Sequence, residues 1–139
     1  MLKKIAKIIL ITLGCAGVLA AGLFLFYRAV YVPPVLMYHN LDHHSQSSKL
    51  SVSPKSFERQ MQFLRKHDYD IVELDKIVDY MRQDKRPPFK TVCVTFDDGR
   101  VNNYTYAFPI LRKYNIPAII FISTALVGTE GYMNWDQIR

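Results

Sequence analysis

Two adjacent carboxylates, Asp97 and Asp98, close the run Thr91-Val-Cys-Val-Thr-Phe-Asp-Asp-Gly99. Neighbouring carboxylates repel, which raises the pKa of one unless a cation neutralises the pair, and a divalent metal is the simplest neutraliser. Gly99 lets the backbone turn sharply and leaves space beside the acids. Asp and Gly are also ordinary turn formers, so the triplet alone fits a plain strand-ending turn equally well. The four histidines, His39, His43, His44 and His67, all precede Asp97. His39 closes a short apolar run and could point to the same face as Asp98, as a hydrogen-bonded neighbour, a ligand contact or, less favoured, a metal ligand. The His43-His44 pair has metal-binding chemistry, but nothing nearby completes a site, and a solvated loop is the favoured reading. Arg100 follows the acids directly. It either neutralises Asp97, reaches a ligand oxygen or is a surface arginine.

The elements that must position these groups are legible as strands and helices in alternation. Thr91 to Phe96 is strand-forming throughout and reads as a buried strand, with the acids at its carboxyl end, where α/β folds place their chemistry. Val35 to Tyr38 is the first strand, with Tyr38 as core. Asn40 to Val52 is polar and reads as a long exposed loop. Ser53-Pro54 is a helix start, with Ser at the N-cap and Pro at the first position. Phe57, Met61 and Leu64 give that helix one buried face, and Arg59, Arg65 and Lys66 its solvated side. Tyr69 to Val72 is a second strand. Leu74, Ile77, Val78 and Met81 form a second amphipathic helix, and Arg86-Pro87-Pro88 stops the chain before the central strand. Asn102-Asn103 can cap a third helix with Ala107, Ile110, Leu111 and Tyr114 on its inner face. Pro109 must lie near its first turn or kink it. Ala118 to Ile122 is the fourth strand, Ser123 to Asn134 a loop, and Trp135 to Arg139 the start of another helix. Strands this apolar cannot face water, so the pattern predicts an α/β fold with a parallel sheet and helices outside. Four such units do not close the usual eight-stranded barrel.

Three stretches in order carry a family resemblance. Thr95-Phe96-Asp97-Asp98-Gly99 resembles the first motif of the polysaccharide deacetylases, the NodB-homology family (carbohydrate esterase family four). Pro34-Val35-Leu36-Met37-Tyr38-His39 is similar to the opening strand of its poly-N-acetylglucosamine deacetylase branch, and Asn115-Ile116-Pro117-Ala118-Ile119-Ile120-Phe121-Ile122 to the next strand. The resemblance spans Pro34 to Arg139 and implies a partial (β/α) barrel of NodB type, about its first four strand–helix units. It implies metal-dependent removal of acetyl groups from N-acetylglucosamine polymers, with Asp97 as general base and Asp98 as a ligand to a divalent metal, zinc being the expected ion. His39 and Arg100 become possible active-site contacts. Trp135 is either a sugar-stacking ring or, as the favoured reading, a helix-start core aromatic. The family's other two ligands belong to a His-(Ser/Thr)-x-x-His motif that lies beyond a segment like Gly131 to Ile138. No such motif occurs in this sequence, and the family's later general-acid histidine is missing too. The metal site is thus expected to be incomplete. Two alternatives stand beside the deacetylase: an inactive truncated fragment or weak carbohydrate-binding domain, and an O-acetyl esterase of the same family.

Charge separates the chain further. Its formal net charge is +6, but Lys3, Lys4, Lys7 and Arg28 carry +4 before any acid occurs. The remaining 14 basic and 12 acidic residues leave no basic domain, which argues against a nucleic-acid partner. Ile8 to Tyr27 is 20 residues without a charge, enough to span a ~30 Å hydrocarbon core. The lysines before it place residues 1–7 in the cytoplasm, 8–27 as a transmembrane signal-anchor, 28–33 as a linker and the truncated deacetylase domain, 34–139, outside the cell membrane. A cleaved signal peptide competes, with Ala20-Ala21 as cleavage site, but Gly22 to Phe26 prolongs the apolar run beyond it. A lipoprotein reading of Thr12-Leu13-Gly14-Cys15 is weaker. Cys15 and Cys93 lie in segments too different to pair and report no redox compartment. An anchored chain should fractionate with membranes and expose 34–139 to protease from the outer face. Release of soluble protein with a new amino terminus near Ala21 would establish cleavage instead.

Overall fold

The computed structural model describes residues 2–43 and 50–139, so His44 lies outside the described residues. The chain forms two compact units, Met1–Val32 and Pro33–Arg139. The first is a single helix, α1 (Leu2–Ala29), of 28 residues. At 1.5 Å per residue it is about 42 Å long, and none of its apolar window is buried against other residues. It is long and apolar enough to cross a membrane, a description that a signal sequence also meets.

The second unit is built on parallel strands. In chain order it contains β1 (Val35–Tyr38), β2 (Asn40–Leu41), β3 (Ser51–Val52), α2 (Pro54–Lys66), β4 (Asp70–Ile71), α3 (Leu74–Arg82) and β5 (Thr91–Phe96). A π-helical turn (Asn103–Ala107), α4 (Phe108–Lys113), β6 (Ile119–Ile120), a 3-10 turn (Thr124–Leu126) and α5 (Trp135–Ile138) follow. All six residues of β5 are buried, and β1, β4 and β6 each pair with it in parallel. Cys93 and Asp97 donate backbone hydrogen bonds to β1 and the residue before it, whereas Val92 and Phe96 accept from Val72 and Phe121. Backbone groups alternate sides along a parallel strand. β1 therefore holds one edge of β5, and β4 and β6 share the other.

Side chains alternate in the same way. Val92, Val94 and Phe96 meet Phe57, Met61 and Leu64 of α2 together with Ala107, Tyr38 and Ile71. Cys93 points to the opposite face and meets Val72 and Ile77. α3 therefore packs through Ile77 against the side of β5 away from α2. The centre of the larger cluster is aromatic. The Phe57 ring stands edge-on to Tyr38 at 4.9 Å and to Phe96 at 5.7 Å. Tyr38 donates its hydroxyl to Gln60 Oε1 at 2.8 Å, and burial pushes its pKa up to about 12.

Several local expectations change in detail. Ser53 caps α2 as the sequence suggests, accepting from the Ser56 amide at 3.2 Å. The Asn40–Val52 stretch is not loop throughout: Asn40–Leu41 pairs in parallel with Ser51–Val52, because Leu41 is fully buried and draws the loop's base onto the core. Arg65 is not merely solvated. It donates Nε to the Tyr114 carbonyl at 2.9 Å and Nη2 to that of Asn115, satisfying the open carbonyls after α4. The third helix opens as a π turn, with the Phe108 amide bonded to the Asn103 carbonyl. Pro109 has no N–H to donate and its ring crowds the preceding turn, so the backbone widens there. Neither Asn102 nor Asn103 caps this segment. Replacing Phe57 with alanine removes the ring that both Tyr38 and Phe96 pack against. It should cost about 3–5 kcal/mol in urea unfolding of the domain; a loss below ~1 kcal/mol would show that the core closes over the gap.

Candidate active site

The site grows directly from the β1–β5 register. Val35 to Tyr38 pair with Cys93 to Phe96 in order. The Asp97 amide then extends the ladder, donating to the Tyr38 carbonyl at 2.9 Å. The next residues in register are His39 and Asp97, and His39 Nε2 lies 3.6 Å from Asp97 Oδ2. That is ion-pair range and longer than a hydrogen bond. His39 thus sits beside Asp97, and both side chains keep about a quarter of their surface exposed.

After Asp97 the chain turns through two left-handed residues, Asp98 (φ +69°) and Gly99 (φ +73°). Asp tolerates this region better than most residues. The turn swings the exposed Asp98 into a cleft of about 220 Å³ shared with His39, Asn40, Leu50, Ser51 and Arg100. Gly99 itself is buried. A Cβ there would lie 2.9 Å from Ile122 Cγ2 and close to that residue's backbone.

Two straps hold the cleft. On one side Asn102 donates to Asn40 Oδ1 and accepts from the Leu41 amide at 3.4 Å, while Asn40 donates to Ser51 Oγ at 2.8 Å. On the other side Val101 and Met133 donate to Gly131 and Gly99 carbonyls at 3.0 Å, and Arg100 bridges to Tyr132 in antiparallel fashion. The Arg100 guanidinium carbon lies 4.5 Å from the Tyr132 ring centroid. Asn40, Asn102 and Tyr132 were not legible as site residues, since their partners lie 11 to 62 positions away in sequence. The remaining expectations fall elsewhere. His43 packs edge-on against Tyr106, and His67 is exposed and gives its carbonyl to Lys90. Trp135 is half exposed, so it is not the core aromatic favoured from sequence.

Residues 84–139 match the family model described as polysaccharide deacetylase. The chain is 41% identical over 88 residues to the poly-beta-1,6-N-acetyl-D-glucosamine N-deacetylase of Staphylococcus aureus (strain MSSA476), covering 63% of this chain and 30% of that protein. Among solved structures it resembles the Streptococcus pyogenes deacetylase PplD in complex with acetate, with a TM-score of 0.69, 28% identity, and coverage of 76% of this chain and 50% of that one. IcaB from Ammonifex degensii gives 0.67 and 33% identity over 77% and 49%. This chain belongs to the polysaccharide deacetylases. It spans about a third of the length of the curated relatives it matches.

The donor set does not fit a complete metal site. Among the described residues no three His, Cys, Asp or Glu side chains are grouped to hold an ion, and catalytic zinc takes three protein ligands and an open position. Asp98 is one available carboxylate. Gly99→Ala should destabilise the domain by about 1–3 kcal/mol, because the new methyl meets Ile122 and the left-handed backbone strains any L residue. Chemical denaturation checks this, and an unchanged midpoint would mean that Ile122 yields freely.

Proposed function

We propose that residues 34–139 are part of a membrane-anchored N-deacetylase domain that acts on N-acetylglucosamine-containing polysaccharide. The observation that carries this reading is the register-built group of His39, Asp97 and Asp98 at the carboxyl ends of β1 and β5. It occurs in a chain 41% identical, over the matched stretch, to a poly-beta-1,6-N-acetyl-D-glucosamine N-deacetylase. Asp97 is the base: it is partly exposed and can take a proton from a water attacking an acetamide carbon. His39 orients that carboxylate from the neighbouring strand. Asp98 contributes one carboxylate to a divalent ion, zinc by preference, which supplies Lewis acidity when bound. The described residues do not complete that ion's shell.

The same incompleteness favours a second reading for the polypeptide taken alone, a sugar-binding domain without turnover. The partial barrel belongs to this proposal as well. Val35 and Met37 leave apolar side chains exposed on the side of β1 away from the main core. Helix α1 serves as the anchor, with Lys3, Lys4 and Lys7 holding its amino end on the cytoplasmic side.

A chimera tests the assignment. Residues 34–139 would replace the corresponding part of the staphylococcal relative, and acetate release from β-1,6-linked N-acetylglucosamine oligomers would be measured. The chimera should be active. Asp97→Asn should lower the rate by about 10²-fold or more with bound metal retained, and Asp98→Asn should lower the metal content itself. The 1–139 chain alone, given zinc, should stay at background. A folded, metal-loaded chimera that is inactive, or that is indifferent to Asp97→Asn, would overturn the reading.

A further inference from the structure

Arg100 is the cation that lines the cleft among the described residues. Asp97 has the His39 imidazole 3.6 Å away, and no carboxylate lies within ion-pair distance of Arg100 among the described residues. The side chain is nonetheless held in place. Its backbone bridges to Tyr132, its guanidinium lies over the Tyr132 ring at 4.5 Å, and Nη1 passes 4.0 Å from where a Gly131 Cβ would stand. Gly131 has φ +82° and no side chain to block that approach. The strap Gly128–Met133 is itself closed by the Gly128 amide on the Met133 carbonyl at 2.9 Å. A guanidinium stacked on an aromatic face loses little further freedom when its remaining N–H groups meet a ligand.

The charges around it decide what that ligand is. Asp98 lines the same cleft, with Asp97 next to it in sequence, so in the metal-free chain a full anion would meet carboxylates as well as the guanidinium. A neutral molecule that carries both acceptors and donors satisfies both: acetamide or hydroxyl oxygens accept from Arg100 while hydroxyl groups donate toward Asp98. We propose that Arg100, backed by Tyr132, is a substrate-positioning residue that hydrogen-bonds the oxygens of an uncharged N-acetylated sugar unit lying over Asp98. This rests on the deacetylase reading and adds to it the residue that holds the sugar, together with a preference of the metal-free chain for neutral over acidic glycans.

The test uses the full chain in detergent micelles and oligomers of β-1,6-linked N-acetylglucosamine, with affinity followed by NMR titration. The unmodified chain should bind. Arg100→Ala should weaken binding about tenfold or more, since a charge-assisted hydrogen bond is lost. Arg100→Lys should retain only part of the affinity, Tyr132→Phe should retain nearly all, and Tyr132→Ala should fall with Arg100→Ala. Amide spectra unchanged outside residues 98–133 verify the fold of each variant. An oligomer bearing uronic acids should bind more weakly than the neutral one. Arg100→Ala that keeps its fold and binds at full affinity overturns the proposal while leaving the sugar reading intact, and so does tighter binding of the acidic oligomer. No binding by the unmodified chain overturns both.

Discussion

The parallel pairing of β1 with β5 is the interaction on which the rest of this domain depends. Five successive residues of each strand advance together, from Val35 and Cys93 through to His39 and Asp97. One rigid ladder thus sets the core and the site. On its even face it presents Leu36, Tyr38, Val94 and Phe96 to α2, and at its carboxyl end it delivers an imidazole and a carboxylate side by side. A one-residue slip would exchange the two faces of β1, setting the exposed Val35 and Met37 against the core in place of Leu36 and Tyr38. The burial of Phe57 between Tyr38 and Phe96 therefore also enforces the placing of His39.

The turn after β5 is the second constraint. Asp98 and Gly99 both adopt left-handed backbone, and the side of Gly99 is closed by Ile122. Such a turn persists only where its surroundings over-determine it. The two straps do this. The amides of Asn40 and Asn102 tie the turn to the base of the loop that follows β1, and Gly131 to Met133 hold it from the far side. Between them Asp98 and Arg100 face a cleft whose walls come from three separate stretches of chain.

The domain also shows how a single proline reshapes its neighbourhood. Pro109 opens a π turn, and the widened backbone carries Asn103 into the core, where neither side-chain polar atom has a partner among the described residues. An unpaired buried amide destabilises the fold.

Much of this was written in the sequence. Strand and helix order, the Ser53 cap, the buried stripe of Phe57, Met61 and Leu64, and the placing of Asp97 and Asp98 at a strand end all follow from local pattern, because each depends on neighbours within a few residues. So does the length and apolarity of α1. The tertiary structure alone decided the rest. Strand order, with β5 between β1 on one edge and β4 and β6 on the other, comes from pairings that no local period encodes. His39 lies beside Asp97 because two strands more than fifty residues apart share a register. Arg100 is set over Tyr132 because a distant segment folds back on the turn. α3 crosses to the opposite face because Cys93 and Val72 leave an apolar patch there, and Ile77 covers it. These are contacts between residues far apart in the chain, so residue type signals that such partners can exist, and only packing selects them.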